Sequence, residues 1–377
     1  MLKRRLLTIA TAGALAFGLA GGAVSAKTIK GVTYLPPTHP LTMGYERFKD
    51  VIEAESGGDL KVRVFAAESL LPAKAISDGV RDGVADVGSV TMTYTPSYYP
   101  RGLLLGDLAM FGPNDTVAVF AQSELFTMRC PSCQEDSAKQ NQLLTTGFST
   151  PQYVVIGKGP MNTLESIKGK KLRAGGPLWA RFAEYVGATA VNIPTSEMYE
   201  GLSRGILDGA IYARGGLKTH GLADVADTVS ELPLGSFRAQ NYFSYNLDAW
   251  AKLSPAERTI VLKGVNAGLV HNLIAYADGE KEGVELGKSK GMKFLQPDAE
   301  MQKTIDAFVE KDAEETIKRW TEKGVPQAAE IVAKYRELYA KYAPMVEPIM
   351  GDEAKLEALL WDNVYGKLDP NTFGVKK

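Results

Sequence analysis

A ten-residue pattern occurs twice in this 377-residue chain, and it constrains the fold more than any other feature. The first copy reads Gly79-Val80-Arg81-Asp82-Gly83-Val84-Ala85-Asp86-Val87-Gly88, and the second reads Gly201-Leu202-Ser203-Arg204-Gly205-Ile206-Leu207-Asp208-Gly209-Ala210. Both copies run Gly, three residues, Gly, two residues, Asp. Each follows an amphipathic run and precedes a short apolar one, residues 89–93 and 210–213. The second glycine suits a left-handed helix C-cap, the aspartate suits a turn, and the apolar residues suit a strand. Coincidental glycine caps are the alternative. Two copies in one context predict two similarly built lobes.

The flanking segments predict an open α/β sheet. Residues 28–34 alternate as a strand and break at Pro36-Pro37. Residues 42–55 place Met43, Phe48, Val51 and Ile52 at helical spacings, and residues 60–65 alternate again. This is a β-α-β opening. A helix over 115–128 and strands over 143–148 and 153–156 follow, the last of them placed to cross between lobes. After the second copy, residues 237–247 are rich in aromatics. Ser254-Pro255-Ala256-Glu257 then starts a helical region reaching residue 287. Residues 299–360 are helical almost throughout.

Composition narrows the class. The formal charge is -1, with 43 basic and 44 acidic side chains, so there is no footprint for nucleic acid. The first residues carry a basic Lys3-Arg4-Arg5 cluster, an apolar run over 6–20, and Val24-Ser25-Ala26 as a small-residue cleavage site. This predicts a Sec-type signal peptide over 1–26 and a mature chain exported to the periplasm. An uncleaved anchor is the alternative, against which stand the short apolar run and its glycines. The two cysteines, Cys130 and Cys133, lie in Cys-Pro-Ser-Cys. In an oxidising compartment a local disulfide is the expectation. A zinc site would need further ligands that the sequence does not place nearby, so neither metal nor cofactor is expected.

Arg173 is the candidate for chemistry. It ends a short apolar strand, Lys171-Leu172-Arg173, and is followed by Ala174-Gly175-Gly176-Pro177 and a helical run. A guanidinium so placed can leave the sheet edge and direct a planar fork of donors into a cleft, a geometry suited to a carboxylate. A solvated strand-end charge is the alternative. Enzymatic chemistry finds no support, because His39, His220 and His271 sit in no recognised motif and no nucleophile-elbow, zincin or phosphate-loop pattern occurs.

Four stretches carry a family resemblance: Ser69-Leu70-Leu71 with residues 79–86 behind it; Leu164-Glu165-Ser166-Ile167-Lys168-Gly169-Lys170-Lys171-Leu172-Arg173; Ile193-Pro194-Thr195-Ser196-Glu197-Met198-Tyr199-Glu200-Gly201-Leu202 with Leu207-Asp208-Gly209; and Trp250 with Leu253-Ser254-Pro255. On these the chain resembles the extracytoplasmic solute receptors of TRAP transporters, the DctP-like proteins. The resemblance implies an α/β, two-lobed periplasmic-binding-protein fold with hinge crossovers, long spanning helices and a helical C-terminal tail. The boundaries expected are 27–150 with 238–277 for lobe I, 151–237 with 278–330 for lobe II, and 331–377 for the helical extension.

The resemblance further implies a ligand carboxylate clamped by Arg173 and cleft positions at Tyr34, Thr91, Tyr94, Tyr153, Thr195 and Tyr212. Trp179 and Arg214 are added as candidates. Two departures bear on the ligand. Sialic-acid-type members carry a second arginine where this chain has Tyr153, and the usual Asp-Gly-Gln-Glu-Asn segment is here Asp208-Gly209-Ala210-Ile211-Tyr212. A sugar acid would lose partners for its hydroxyls, each costing about 1–3 kcal/mol when buried unpaired. The expected ligand is therefore a small organic acid of low polarity, aromatic acids included, handed to TRAP membrane subunits by a monomeric receptor. A receptor for an ABC transporter or a sensor kinase, or a periplasmic enzyme, is the alternative function.

Overall fold

The structure, a computed structural model, describes residues 26–112 and 114–375. The signal-peptide expectation falls almost wholly outside them. Eleven strands form two sheets among the described residues. The strands are β1 (Lys27–Val32), β2 (Leu60–Phe65), β3 (Val87–Thr91), β4 (Gln142–Leu143), β5 (Tyr153–Gly157), β6 (Lys171–Arg173), β7 (Thr189–Val191), β8 (Gly209–Ala213), β9 (Thr228–Ser230), β10 (Gln240–Asn246) and β11 (Lys293–Leu295). The first sheet has the order β2-β1-β3-β10-β4 and the second β11-β9-β5-β8-β6-β7.

The doubled pattern has one physical explanation in both sheets. In the first copy the helix Ile76–Arg81 ends, Gly83 takes φ +75°, and the chain enters β3, which runs parallel to β1. In the second the helix Met198–Ser203 ends, Gly205 takes φ +71°, and the chain enters β8, parallel to β6. A left-handed conformation with no Cβ cost is what glycine provides at each turn. The aspartates then fix register. Asp86 Oδ2 accepts the Lys30 N–H at 2.7 Å while its own N–H donates to the Lys30 carbonyl at 2.9 Å. Asp208 makes the same pair with Lys171, at 2.7 and 2.9 Å. One local device thus docks a helix-turn-strand unit onto each sheet.

The chain passes between the sheets three times. Residues 144–152 lead from β4 to β5 and residues 231–239 from β9 to β10, touching at an antiparallel bridge between Gln152 and Ser236. The third passage is the 35-residue helix Pro255–Ser289, which follows β10 and precedes β11. Ser254 and Glu257 form its capping box, as the sequence predicted. This helix is long and apolar enough to span a membrane by composition, but its apolar residues are buried against the helix Pro40–Glu55 and the body of the protein.

Two segments differ from expectation. The strand expected over 143–148 is confined to Gln142–Leu143, because side chains take over the hydrogen bonds of the backbone beyond it. Leu144 N–H donates to Gln134, Gly147 N–H to Ser123 and Phe148 N–H to Gln122. The helix expected over 115–128 is α-helical only to Glu124 and closes in a wider turn over Leu125–Arg129. Cys130 and Cys133, just beyond, are joined as a disulfide. The C-terminal helices Ala299–Glu322, Ala328–Val346 and Glu353–Asn363 wrap back over the first two-thirds of the chain.

Candidate functional site

The ends of the strands from both sheets converge on one narrow cavity. Seven of the nine sequence candidates line it: Tyr34, Thr91 and Tyr94 from the first sheet's side, and Tyr153, Arg173, Thr195 and Tyr212 from the second's. The device described above explains the convergence. Thr91 ends β3 and Tyr94 lies just past it, while Tyr212 lies on β8, so each copy of the pattern delivers its following strand to the cavity.

Arg173 is 2% exposed. Its Nε donates to the Ile193 carbonyl at 3.2 Å and Nη1 to that of Ile211 at 3.4 Å, and among the described residues no carboxylate pairs with it. Arg238, also buried, shows the contrast: it is wrapped by the carbonyls of Leu108, Phe111 and Gly112 and by the Tyr335 hydroxyl. A desolvated guanidinium whose partners, two carbonyls and the Tyr153 hydroxyl, are all neutral is electrostatically incomplete. Gly175 leaves it room, since a Cβ there would lie 2.8 Å from Nη1. The Tyr212 ring lies 5.9 Å from the guanidinium carbon.

The tyrosines are held as neutral donors. Burial raises the pKa of Tyr34, Tyr153 and Tyr212 above the usual phenol value, with the Arg173 charge opposing the shift at Tyr153 and Tyr212. The Tyr34 hydroxyl lies 3.1 Å from Thr91 Oγ1. Tyr94 accepts the Thr195 N–H at 3.2 Å, and Ser196 donates to Glu68 at 3.1 Å, so both bonds cross between the two sides. Thr195 is buried at the cavity, near the Tyr34 hydroxyl. Two hydrogen bonds thus join the two sides beside the cavity.

Trp179 and Arg214 lie outside this lining. Trp179 packs behind the wall, 5.0 Å from the Tyr153 ring and 6.0 Å from Phe237, and donates to the Leu234 carbonyl at 2.8 Å. Arg214 is held by Glu231 and Glu280. Arg181, on the same helix as Trp179, pairs with Asp107 and Asp312 on the side away from the cavity. Unlike these arginines, Arg173 has no anionic partner among the described residues.

Sequence reasoning did not single out His39, Phe148, Phe237, Gln240 or Tyr276, all of which line the cavity. The aromatics come from crossing segments and from the spanning helix, where nothing in the local pattern distinguishes a cavity wall from core. His39 did leave a signal. It caps the helix Pro40–Glu55 from the position directly before a proline, a place where serine, threonine, aspartate or asparagine is usual.

Two α/β lobes joined by three crossings, with a cavity between their strand ends, define a solute-binding architecture. The chain belongs to the bacterial extracellular solute-binding protein family 7, the DctP family, whose model matches residues 31–319. It is 25% identical over 214 residues to the uncharacterized protein YiiZ of Salmonella typhimurium, a match covering 55% of this chain and 61% of that protein's length. The fold is shared with a TRAP solute-binding protein from an unidentified marine microbe, specific for aromatic acids and solved with meta-hydroxyphenylacetate: TM-score 0.74, 21% identity, 84% of this chain and 99% of that one. It is shared too with DctP6 of Bordetella pertussis, a receptor binding pyroglutamic acid: TM-score 0.71, 20% identity, 82% and 100% coverage. The family is one of extracellular solute-binding proteins.

Proposed function

We propose that this protein is a periplasmic receptor that captures a small, weakly polar organic acid between its lobes and delivers it to TRAP membrane subunits. One observation carries the reading: Arg173 is buried at the cavity with no carboxylate partner among the described residues. A ligand carboxylate would complete it with charge-assisted hydrogen bonds. Phe148, Phe237 and Tyr276 supply apolar walls, and Thr195 and the tyrosines supply a few hydroxyls for orientation. The acids named for the two structural neighbours are both small, ring-containing monocarboxylates, in keeping with a single cation at the cavity.

Binding would work by population shift. A ligand touching Arg173 on one side and Tyr34 or Tyr94 on the other binds the closed form better than the open one, and that difference drives closure. The lobe boundaries we propose, 27–150 with 238–277 and 151–237 with 278–330, put the hinge at the Gln152–Ser236 bridge and within the spanning helix. Residues 331–377 then form the helical extension.

Titration calorimetry with meta-hydroxyphenylacetate, benzoate and pyroglutamate tests the clamp. Arg173→Ala should weaken binding of whichever acid binds by at least about 30-fold, the effect of roughly 2 kcal/mol or more expected when one partner of a buried charge pair is lost. Arg173→Lys should retain the charge and lose the fork, falling in between. Unchanged affinity in Arg173→Ala would remove the basis of the proposal.

A further inference from the structure

His39 and Tyr212 lie on the far wall of the cavity and His220 lies against the Tyr212 hydroxyl; the carboxylate reading gives neither imidazole a role. His39 Nε2 lies 3.3 Å from the Tyr212 hydroxyl, and His220 Nε2 lies 3.0 Å from the same oxygen. The imidazole rings are 5.3 Å apart. A second cavity lies behind, and His39, Tyr212 and Tyr276 line both, so these three side chains are the partition between them. His39 stands at the start of the helix Pro40–Glu55 beside the first sheet. Tyr212 is on β8 and His220 ends the helix Gly216–Thr219, both on the second sheet's side. The Tyr212–His39 bond therefore crosses the cleft.

The direction of every hydrogen bond in the group follows from one cap. His39 Nδ1 accepts the Leu41 N–H at 3.1 Å, so in the neutral ring the proton is on Nε2. Nε2–H then donates to the Tyr212 oxygen. The Tyr212 proton is left to donate to His220 Nε2, and the proton of His220 must be on its Nδ1. The relay runs one way, from His39 through Tyr212 to His220. Tyr212 spends its proton and one lone pair in it, so what this residue offers a ligand is mainly its ring.

We infer that His39, Tyr212 and His220 form a directed relay that latches the closed cleft only while both imidazoles are neutral, so that acidification opens the cleft and releases the ligand. A proton added to His39 would go to Nδ1, setting two donors, Nδ1–H and the Leu41 N–H, against each other and breaking the helix cap. A proton added to His220 would go to Nε2, against a hydroxyl that now points its own proton there. The groups facing the pair offer no compensation. Arg173 is positive. Tyr34, Tyr153, Tyr212 and Tyr276 are phenols that burial keeps neutral. Glu280, one turn beyond Tyr276, is taken up by Arg214 and the Gly215 N–H. No carboxylate pairs with either histidine among the described residues.

The electrostatics agree in sign. Burial and the neighbouring His220 lower the pKa of His39, and burial with the Arg173 charge lowers that of His220 to about 3. In an open, hydrated cleft both would titrate near the ordinary value of about 6.5. The closed form, with depressed values, prefers neutral rings. Its advantage is complete above about pH 6.5 and declines as pH falls below that, by up to tenfold per pH unit for each histidine.

The inference rests on the carboxylate-receptor reading for its ligand but has a readout of its own. Nitrogen-15 NMR of the histidines in the full chain with excess meta-hydroxyphenylacetate should show the Nε2–H tautomer at His39 and Nδ1–H at His220, both neutral down to at least pH 5.5, whereas in the ligand-free chain the same two rings should take up protons near pH 6.5. Ordinary titration near pH 6.5 in both samples overturns the relay. Calorimetry gives the second arm: the affinity for meta-hydroxyphenylacetate, which stays ionised throughout, should fall about 10- to 100-fold from pH 7.5 to 5.5 with proton release on binding. His39→Asn, which keeps a capping side chain, combined with His220→Gln should flatten that dependence. A wild-type affinity independent of pH overturns the relay, whereas absence of binding alongside the predicted tautomers counts against the carboxylate reading alone.

Discussion

At the scale of single residues, Gly175 and Arg173 act as a unit. The guanidinium occupies the space a side chain at position 175 would need, since a Cβ there would lie 2.8 and 3.1 Å from its terminal nitrogens. The guanidinium is the far end of a flexible chain, so an added methyl group should displace the clamp instead of breaking the fold. Gly175→Ala is expected to weaken acid binding about tenfold, or roughly 1.4 kcal/mol. Its melting temperature should move by no more than a couple of degrees. A large loss of stability with normal affinity would mark Gly175 as a purely structural glycine. Arg173 was legible because its signal is local: strand end, glycine pair, helix start. Tyr276 was not, because its place in the cavity comes from packing against His39 and Phe148, far from it in the sequence. Trp179 and Arg214 carry the same local signals as the lining residues, and only packing places them elsewhere, behind the wall and in an ion-pair cluster.

Among the elements, the doubled helix-turn-strand unit was the most readable part of the fold, since glycine and aspartate at fixed spacing have few conformational alternatives. Its two copies make the same pair of bonds to Lys30 and Lys171 but in different surroundings. Asp86 meets its partner in a half-buried setting and Asp208 in an exposed one. Loss of a buried charge-assisted bond leaves an orphaned N–H, whereas water replaces an exposed one. Asp86→Ala should therefore lower unfolding free energy by about 2 kcal/mol and Asp208→Ala by about 1 kcal/mol or less, as urea denaturation would read out. Equal losses would show that register, and not burial, sets the value of the motif. Residues 144–149 explain the opposite case. Their alternation resembles a strand, but Gln122, Ser123 and Gln134 from distant helices take their N–H groups, and no property of the segment itself announces such partners.

On the scale of the whole molecule, the lobes are tied at the side away from the cavity as well as across it. Arg181, on the helix Pro177–Tyr185, makes a two-bond pair with Asp312 at 2.8 Å and a third contact with Asp107 at 3.1 Å. Asp107 follows the helix Pro100–Gly106 of the first lobe and also accepts the Trp320 indole N–H at 2.6 Å. The helix Ala299–Glu322 thereby joins both lobes through one arginine, with Arg319 adding a second bond to Asp312. Replacing Arg181 by methionine keeps its apolar stem and removes the charge, leaving the nearly inaccessible Asp107 carboxylate without its closest cation. Breaking a buried pair in this way should cost about 3 kcal/mol of stability. The cluster shares no residue with the cavity lining, and distant sites add with little coupling, so affinity for an organic acid should stay within about a factor of two. Denaturation and calorimetry on one Arg181→Met preparation separate the outcomes. A stability loss alone places the cluster as a fixed pivot for closure. A parallel loss of affinity would mean that this side of the molecule moves with the cleft, and the hinge would then have to be sought in the spanning helix instead of at the Gln152–Ser236 bridge.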